Sequence, residues 1–68
     1  MQLIPVSSSN INSIGYEGTT LYVLFKSGGL YEYYNVPQHV YDSLMSAGSH
    51  GSFLATHIKG HYGYRRIR

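Results

Sequence analysis

The sequence predicts a small α+β domain: a three-stranded antiparallel meander, with a possible terminal strand, packed with one longer and one short α-helix. Three observations carry this expectation. Two runs with a period of two flank Ser27-Gly28-Gly29, which marks a hairpin. Pro37 is followed by apolar residues at helical spacing. Sixty-eight residues suffice for one domain and no more, so residues 1–68 are read as a single unit.

Met1 to Val6 is short and apolar, and Pro5 confines it to a sheet edge or a strand end. Ser7 to Asn10 reads as a turn. Ile11 to Glu17 is the first strand, with Ile14 and Tyr16 on one face, Ile11 out of phase, and Gly15 as the candidate bulge. After a turn at Glu17-Gly18, Thr19 to Lys26 is the strongest strand. Its Leu21, Val23 and Phe25 point one way, and Tyr22, Leu24 and Lys26 the other. Both sets are partly apolar, so this strand is expected at the centre with cover on both sides. The glycines of Ser27-Gly28-Gly29 supply the positive φ of a tight turn. Leu30 to Val36 returns antiparallel, with Tyr31, Tyr33 and Asn35 sharing one face and Leu30, Glu32 and Tyr34 the other.

Pro37 suits the first helical position, where no N–H is needed. Val40, Leu44 and Ala47 then form an apolar edge flanked by Tyr41 and Met45, and Gly48 closes the helix. A shorter helix is expected from about Ser52 to His57 or Ile58. Phe53 anchors its start, Leu54 and Ile58 form its buried edge, and Gly60 ends it. His61 to Arg68 alternates and reads as a terminal strand or arm.

A chain this short buries only roughly 60% of its unfolded surface, so its core needs help. Cysteine is absent, which removes disulfides, Cys-based zinc sites and a thiol nucleophile. Eight tyrosines and two phenylalanines supply the alternative, a core built on rings with a homo-oligomer interface built on the remainder. The N-terminus lacks the basic region of a signal peptide. The longest apolar run, Leu21 to Phe25, is far short of a membrane span. A cytoplasmic, membrane-free protein is expected. Net charge is +2, and its distribution is lopsided. Lys59, Arg65, Arg66 and Arg68 crowd the last ten positions, whereas Glu17, Glu32 and Asp42 all precede them. Such a tail attracts phosphate-bearing partners, although ordinary solvated arginines account for it equally.

One combination is specific. Ser8-Ser9 is followed by Ile14-Gly15-Tyr16, Leu21-x-Val23-x-Phe25, Gly29-x-Tyr31-x-Tyr33 and Val36-Pro37. Tyr41 and Leu44 come next, then Ala47-x-Ser49-x-Gly51-x-Phe53 leading to Ile58 and Tyr62. Across nearly its whole length the chain thereby resembles the KTSC domain family, named for its occurrence at the C-terminus of some lysyl-tRNA synthetases. The domain also occurs as a stand-alone protein in bacteria and their phages, and this chain looks like that type. The family has no established activity, and the role suggested for the domains this chain resembles is RNA binding.

The residues themselves argue against catalysis. Three acids and four histidines form no recognisable catalytic or metal signature. His57 and His61 have a ligand-like spacing of four, but Gly60 interrupts the helix between them. No enzyme activity, cofactor or metal is expected. Two constellations remain. In Ser49-His50-Gly51-Ser52-Phe53, Gly51 frees the backbone for close approach, and Ser49 or Ser52 can cap a helix whose first N–H groups attract anions. A plain N-cap uses the same residues. The second constellation is the aromatic face, where Tyr31 and Tyr33 share one side of their strand and Tyr22 is expected across the hairpin from them. Rings on an open sheet stack bases, and rings under a helix are core; a one-residue slip in register decides between the two.

The expected function is therefore a non-enzymatic binding module for RNA or a small nucleotide. Tyr22, Tyr31 and Tyr33 would stack bases, while Ser49, Gly51, Ser52, Lys59, Arg65, Arg66 and Arg68 would hold phosphates. For a stand-alone domain of the kind phages carry, sequestration of a nucleotide signal is the concrete form of this expectation. The alternative is a protein-interaction or homo-oligomerisation module that uses the tyrosine-rich surface.

Overall fold

Antiparallel pairing between sequence neighbours builds most of the sheet. The computed structural model describes residues 2–68, and five strands lie in the order β1-β2-β3-β4-β5. They are β1 (Ile4–Pro5), β2 (Ile11–Glu17), β3 (Thr20–Phe25), β4 (Leu30–Tyr33) and β5 (Tyr64–Arg66). Helices α1 (Gln38–Ser46) and α2 (His50–Phe53) stand between β4 and β5, and α2 runs on into a π-helical turn over Leu54–Ile58. The expected meander thus gains a strand at each edge. Met1, the first residue of the expected edge segment, lies outside the described residues.

Register accounts for the odd phase of Ile11. Ile11 pairs with Phe25 and Ser13 with Leu24, so the ladder slips at Asn12. The extra residue returns Ile11 to the face of Ile14, and both isoleucines are fully buried. The bulge is therefore at Asn12 and not at Gly15, which pairs regularly with Tyr22.

The same ladder decides where the tyrosines go. Leu21 pairs with Tyr33, Val23 with Tyr31, and Tyr22 with Glu32. Tyr31 and Tyr33 thus join the face of Leu21, Val23 and Phe25, and Tyr22 stands on the other face. Leu44 of α1, with Leu54 and Ile58 of the π-helical turn, completes one core with Ile11, Ile14, Leu21, Val23, Tyr33 and Val36. The Tyr16 ring stacks on Tyr41 of α1 at 4.6 Å, and its hydroxyl donates to the Val36 carbonyl. β3 is central, as expected; the helical core residues all pack on this one face, while Tyr22 and Leu24 on the other are partly buried.

Several element ends are corrected by local backbone. Of the two hairpin glycines, Gly28 takes the positive φ (106°) and Gly29 does not. β4 stops at Tyr33, and Asn35, at φ 58°, turns the chain toward α1. Pro37 is the N-cap of α1 and not its first helical residue. The second helical segment begins at His50, ahead of Ser52, because Ser49 caps it by accepting the Ser52 N–H at 3.2 Å. Its last turn is wide: the Lys59 N–H donates to the Leu54 carbonyl, five residues back, at 2.9 Å. Among the described residues no helix is long and apolar enough to cross a membrane.

Candidate ligand groove

The core face of the sheet is longer than the helices that cover it. Beyond them it opens into a groove of about 870 Å³ between β3, β4, β5, the Ser9–Asn10 turn and Lys59-Gly60. The volume suits a small organic ligand. Its floor is aromatic. Tyr31 lies 5.9 Å from Tyr64 and 6.5 Å from Tyr33, Tyr33 lies 5.8 Å from Tyr64, and Phe25 meets Tyr31 edge-on at 5.4 Å. Strand alternation produces this cluster: Tyr31 pairs with Arg66 and Tyr33 with Tyr64, so all four side chains leave the sheet on the same side.

Cations stand over the rings. The Arg66 guanidinium lies 5.8 Å from the Tyr31 centroid, and the Lys59 ammonium lies 5.6 Å from that of Phe25. Lys26 also lines the groove. The wide turn that ends at Ile58 buries that isoleucine while carrying Lys59 out over Phe25. Gly29 serves the same wall, since a Cβ there would sit 3.2 Å from the Tyr31 ring and 3.6 Å from the Arg66 guanidinium. Among the described residues no Asp or Glu lines the groove. Glu32 pairs with Arg65 at 3.2 Å on the opposite face, and Asp42 accepts from Gln38 on α1. The field inside is therefore of one sign.

Two phenols are held from ionising. Burial, with the neighbouring Tyr31 and Tyr64 phenols, raises the Tyr33 pKa above its usual value. Tyr34 is raised chiefly by its hydroxyl's hydrogen bond to Glu32, at 2.7 Å. The groove tyrosine Tyr33 is thus a neutral ring at physiological pH.

The residues anticipated from sequence divide into groups. Tyr31, Tyr33, Lys59 and Arg66 meet in the groove. Tyr22 does not, because the Tyr22–Glu32 pairing places it on the other face. Arg65 alternates away to Glu32. The Arg68 carbonyl accepts from the Arg66 Nε at 3.1 Å and from the Leu30 N–H at 2.9 Å, so its backbone closes the sheet and supports the Arg66 head. Ser49 lines a separate shallow hollow with Ser7 to Ser9, and its hydroxyl is spent on capping. Ser52 gives its N–H to that cap. Gly51 faces Asn10: a Cβ there would lie 2.6 Å from the Asn10 Oδ1. His57 packs on Phe53 at 4.5 Å and His61 bonds to the Thr56 carbonyl, so each imidazole is engaged separately. No metal-ligating cluster gathers among the described residues.

The KTSC domain model matches residues 7–62. The chain belongs to the KTSC domain family. A KTSC domain protein from Yersinia pestis, known from its crystal structure, superposes with a TM-score of 0.94 at 42% identity, over 98% of this chain and 97% of that one. A lysine–tRNA ligase from Nostoc is 37% identical over 96% of this KTSC domain, which spans only 12% of the ligase. A protein from Stutzerimonas stutzeri is 40% identical over 98% of this chain and 99% of its own length.

Sequence reasoning missed most of this KTSC domain's groove, including Asn10, Phe25, Lys26, Ser27 and Tyr64. Phe25 was assigned to the core by its alternation with Leu21 and Val23, and it occupies the end of that face that the helices leave open. Tyr64 shares phase with Arg66, so the alternation within Tyr64-Arg65-Arg66 already separates the groove arginine from Arg65. Lys26 was assigned to the second face, but it follows the end of β3 and lies in the turn, where alternation no longer holds.

Proposed function

We propose that this KTSC domain is a non-enzymatic binding module for a phosphate-bearing ligand with an unpaired base, either single-stranded RNA or a small nucleotide. The observation that carries the reading is the pairing of an aromatic floor with a rim of cations and, among the described residues, no Asp or Glu. Tyr64, Tyr31 and Phe25 offer π-faces to a base, while Lys26, Lys59 and Arg66 offer charge to its phosphates. Tyr64 is 61% exposed, an unusual position for a ring that belongs to a cluster. The relatives named lysine–tRNA ligase, whose name specifies an RNA substrate, support the same class of ligand.

The test has two arms. Purified protein is denatured and the released small molecules are identified by mass spectrometry beside the native mass. The same protein is also titrated with short single-stranded RNA at low salt. A stoichiometric nucleotide, or RNA retained at low salt and released as salt rises, is the expected result. An empty protein that also fails to retain RNA overturns the reading. Salt-insensitive self-association through the tyrosines would favour an assembly module instead.

A further inference from the structure

We propose that Asn10 is a ligand-recognition residue of the groove, presenting its carboxamide NH₂ as a fixed hydrogen-bond donor, and that Gly51 is the positioning residue that makes room for it. The assignment rests on the groove being a ligand site, as proposed above.

Asn10 is exposed yet held at three points. Its carbonyl accepts from the Lys26 N–H at 2.9 Å. Its own N–H donates to the Ser8 Oγ at 3.4 Å, and its Oδ1 accepts from the Ser8 hydroxyl at 3.1 Å. Hydrogen-bond bookkeeping settles which way the carboxamide points. The Ser8 Oγ already accepts from the N–H groups of Asn10 and Ile11, the latter at 3.2 Å. Two accepted bonds occupy both lone pairs, so the hydroxyl hydrogen must be given to Asn10, and the atom that receives it is the oxygen. The Nδ2 is left with both hydrogens and no hydrogen-bond partner among the described residues, on a side chain that lines the groove.

Gly51 has an ordinary φ, so backbone freedom is not what requires glycine there. What glycine spares is the Asn10 side chain: a Cβ would fall 2.6 Å from its Oδ1, so G51A must push the carboxamide away from the Ser8 hydroxyl. Alanine would otherwise be preferred at a helical position. The loop anticipated as a phosphate cradle therefore acts on the groove at second hand, by allowing Asn10 to sit where Ser8 holds it. The acceptor on the ligand is either a phosphate oxygen or a carbonyl oxygen or ring nitrogen of a base.

The experiment measures binding of fluorescent short oligouridylate and oligoadenylate to wild type, N10A, G51A, the N10A/G51A double variant and K59A. N10A is expected to weaken binding about tenfold or more. G51A should weaken it comparably, and the double variant should bind no worse than N10A alone, because Gly51 acts only through Asn10. Stability gives a second readout: with Asn10 removed, G51A should raise the melting temperature, as alanine does in a helix. Equal losses on both probes assign the donor to phosphate, and unequal losses assign it to a base edge. Undiminished binding by N10A, where K59A weakens it, overturns the role of Asn10 and leaves the groove standing. Additive losses in the double variant overturn the role of Gly51. Wild-type protein that binds neither probe and releases no nucleotide on denaturation removes the groove reading, and this assignment with it.

Discussion

Tyr33 shows how one side chain serves two masters. Its ring is core and its hydroxyl end faces the groove cluster, and its pKa is raised by that burial. Above about pH 10 the unfolded chain ionises this phenol while the folded chain keeps its proton, so the unfolded state holds fewer protons. Stability must then fall as pH rises, through the window between the ordinary and the raised value. Tyr33→Phe keeps the ring and removes this dependence. Urea midpoints at about pH 8 and about pH 11 should converge relative to wild type, and an unchanged alkaline loss would refute the argument. Tyr64 is the complementary case, a ring that contributes little to the core. Tyr64→Ala should leave the melting temperature within a few degrees of wild type while costing about 1–3 kcal/mol of affinity for a short RNA, read by fluorescence anisotropy. The alternation that separates Tyr64 and Arg66 from Arg65 was legible in the sequence. The face occupied by Tyr31 and Tyr33 was not, because alternation says which residues share a side but not which side is covered.

Elements are where two single residues carry most weight. Asn12 supplies the bulge that turns Ile11 inward. Deleting it should return Ile11 to the other face and cost about 1.5–3 kcal/mol from the exposed side chain alone, seen as a lower urea midpoint. Deletion at the Gly18-Thr19 turn would instead alter a connection without reversing a face. Ser49 caps the segment that runs from His50 through the π-helical turn. Ser49→Ala should cost about 1 kcal/mol, which for a domain of this size lowers the melting temperature by about 4–8 °C. Loss of that cap also loosens the segment that delivers Lys59, so affinity should fall along with stability. Helix α1 could be read from Pro37 and the spacing of Val40 and Leu44. The π-helical turn could not, because a wide turn is selected by what packs around Leu54 and Ile58 and leaves no spacing of its own.

At the scale of the whole molecule the decisive feature is the separation of charge. A net charge of +2 is modest, but the fold puts Glu32 on the far face with Arg65 and gathers Lys26, Lys59 and Arg66 around one groove that no described Asp or Glu lines. Single-stranded nucleic acid lowers log K by about 0.7 per decade of salt for each phosphate neutralised, so three cations imply a slope of about −2. Each of Lys26→Ala, Lys59→Ala and Arg66→Ala should make that slope shallower by about 0.7. Arg65→Ala, on the other face, should leave it unchanged. A slope that responds to Arg65 as strongly as to Arg66 would mean that charge acts diffusely and that the groove is not the site.

The sequence by itself determined the strands, the hairpin, α1 and the family resemblance, because period, turn chemistry and composition are local properties of the chain. Tertiary structure alone decided which rings and cations meet. Pairing register sent Tyr22 and Arg65 to one face and Tyr31, Tyr33, Tyr64 and Arg66 to the other. Core packing buried Tyr33, covered Tyr31 in part and left Tyr64 and Arg66 exposed. The Ser49–Ser52 loop became a cap and a resting place for Asn10. Each of these outcomes depends on contacts between residues distant in the chain, which no local pattern encodes.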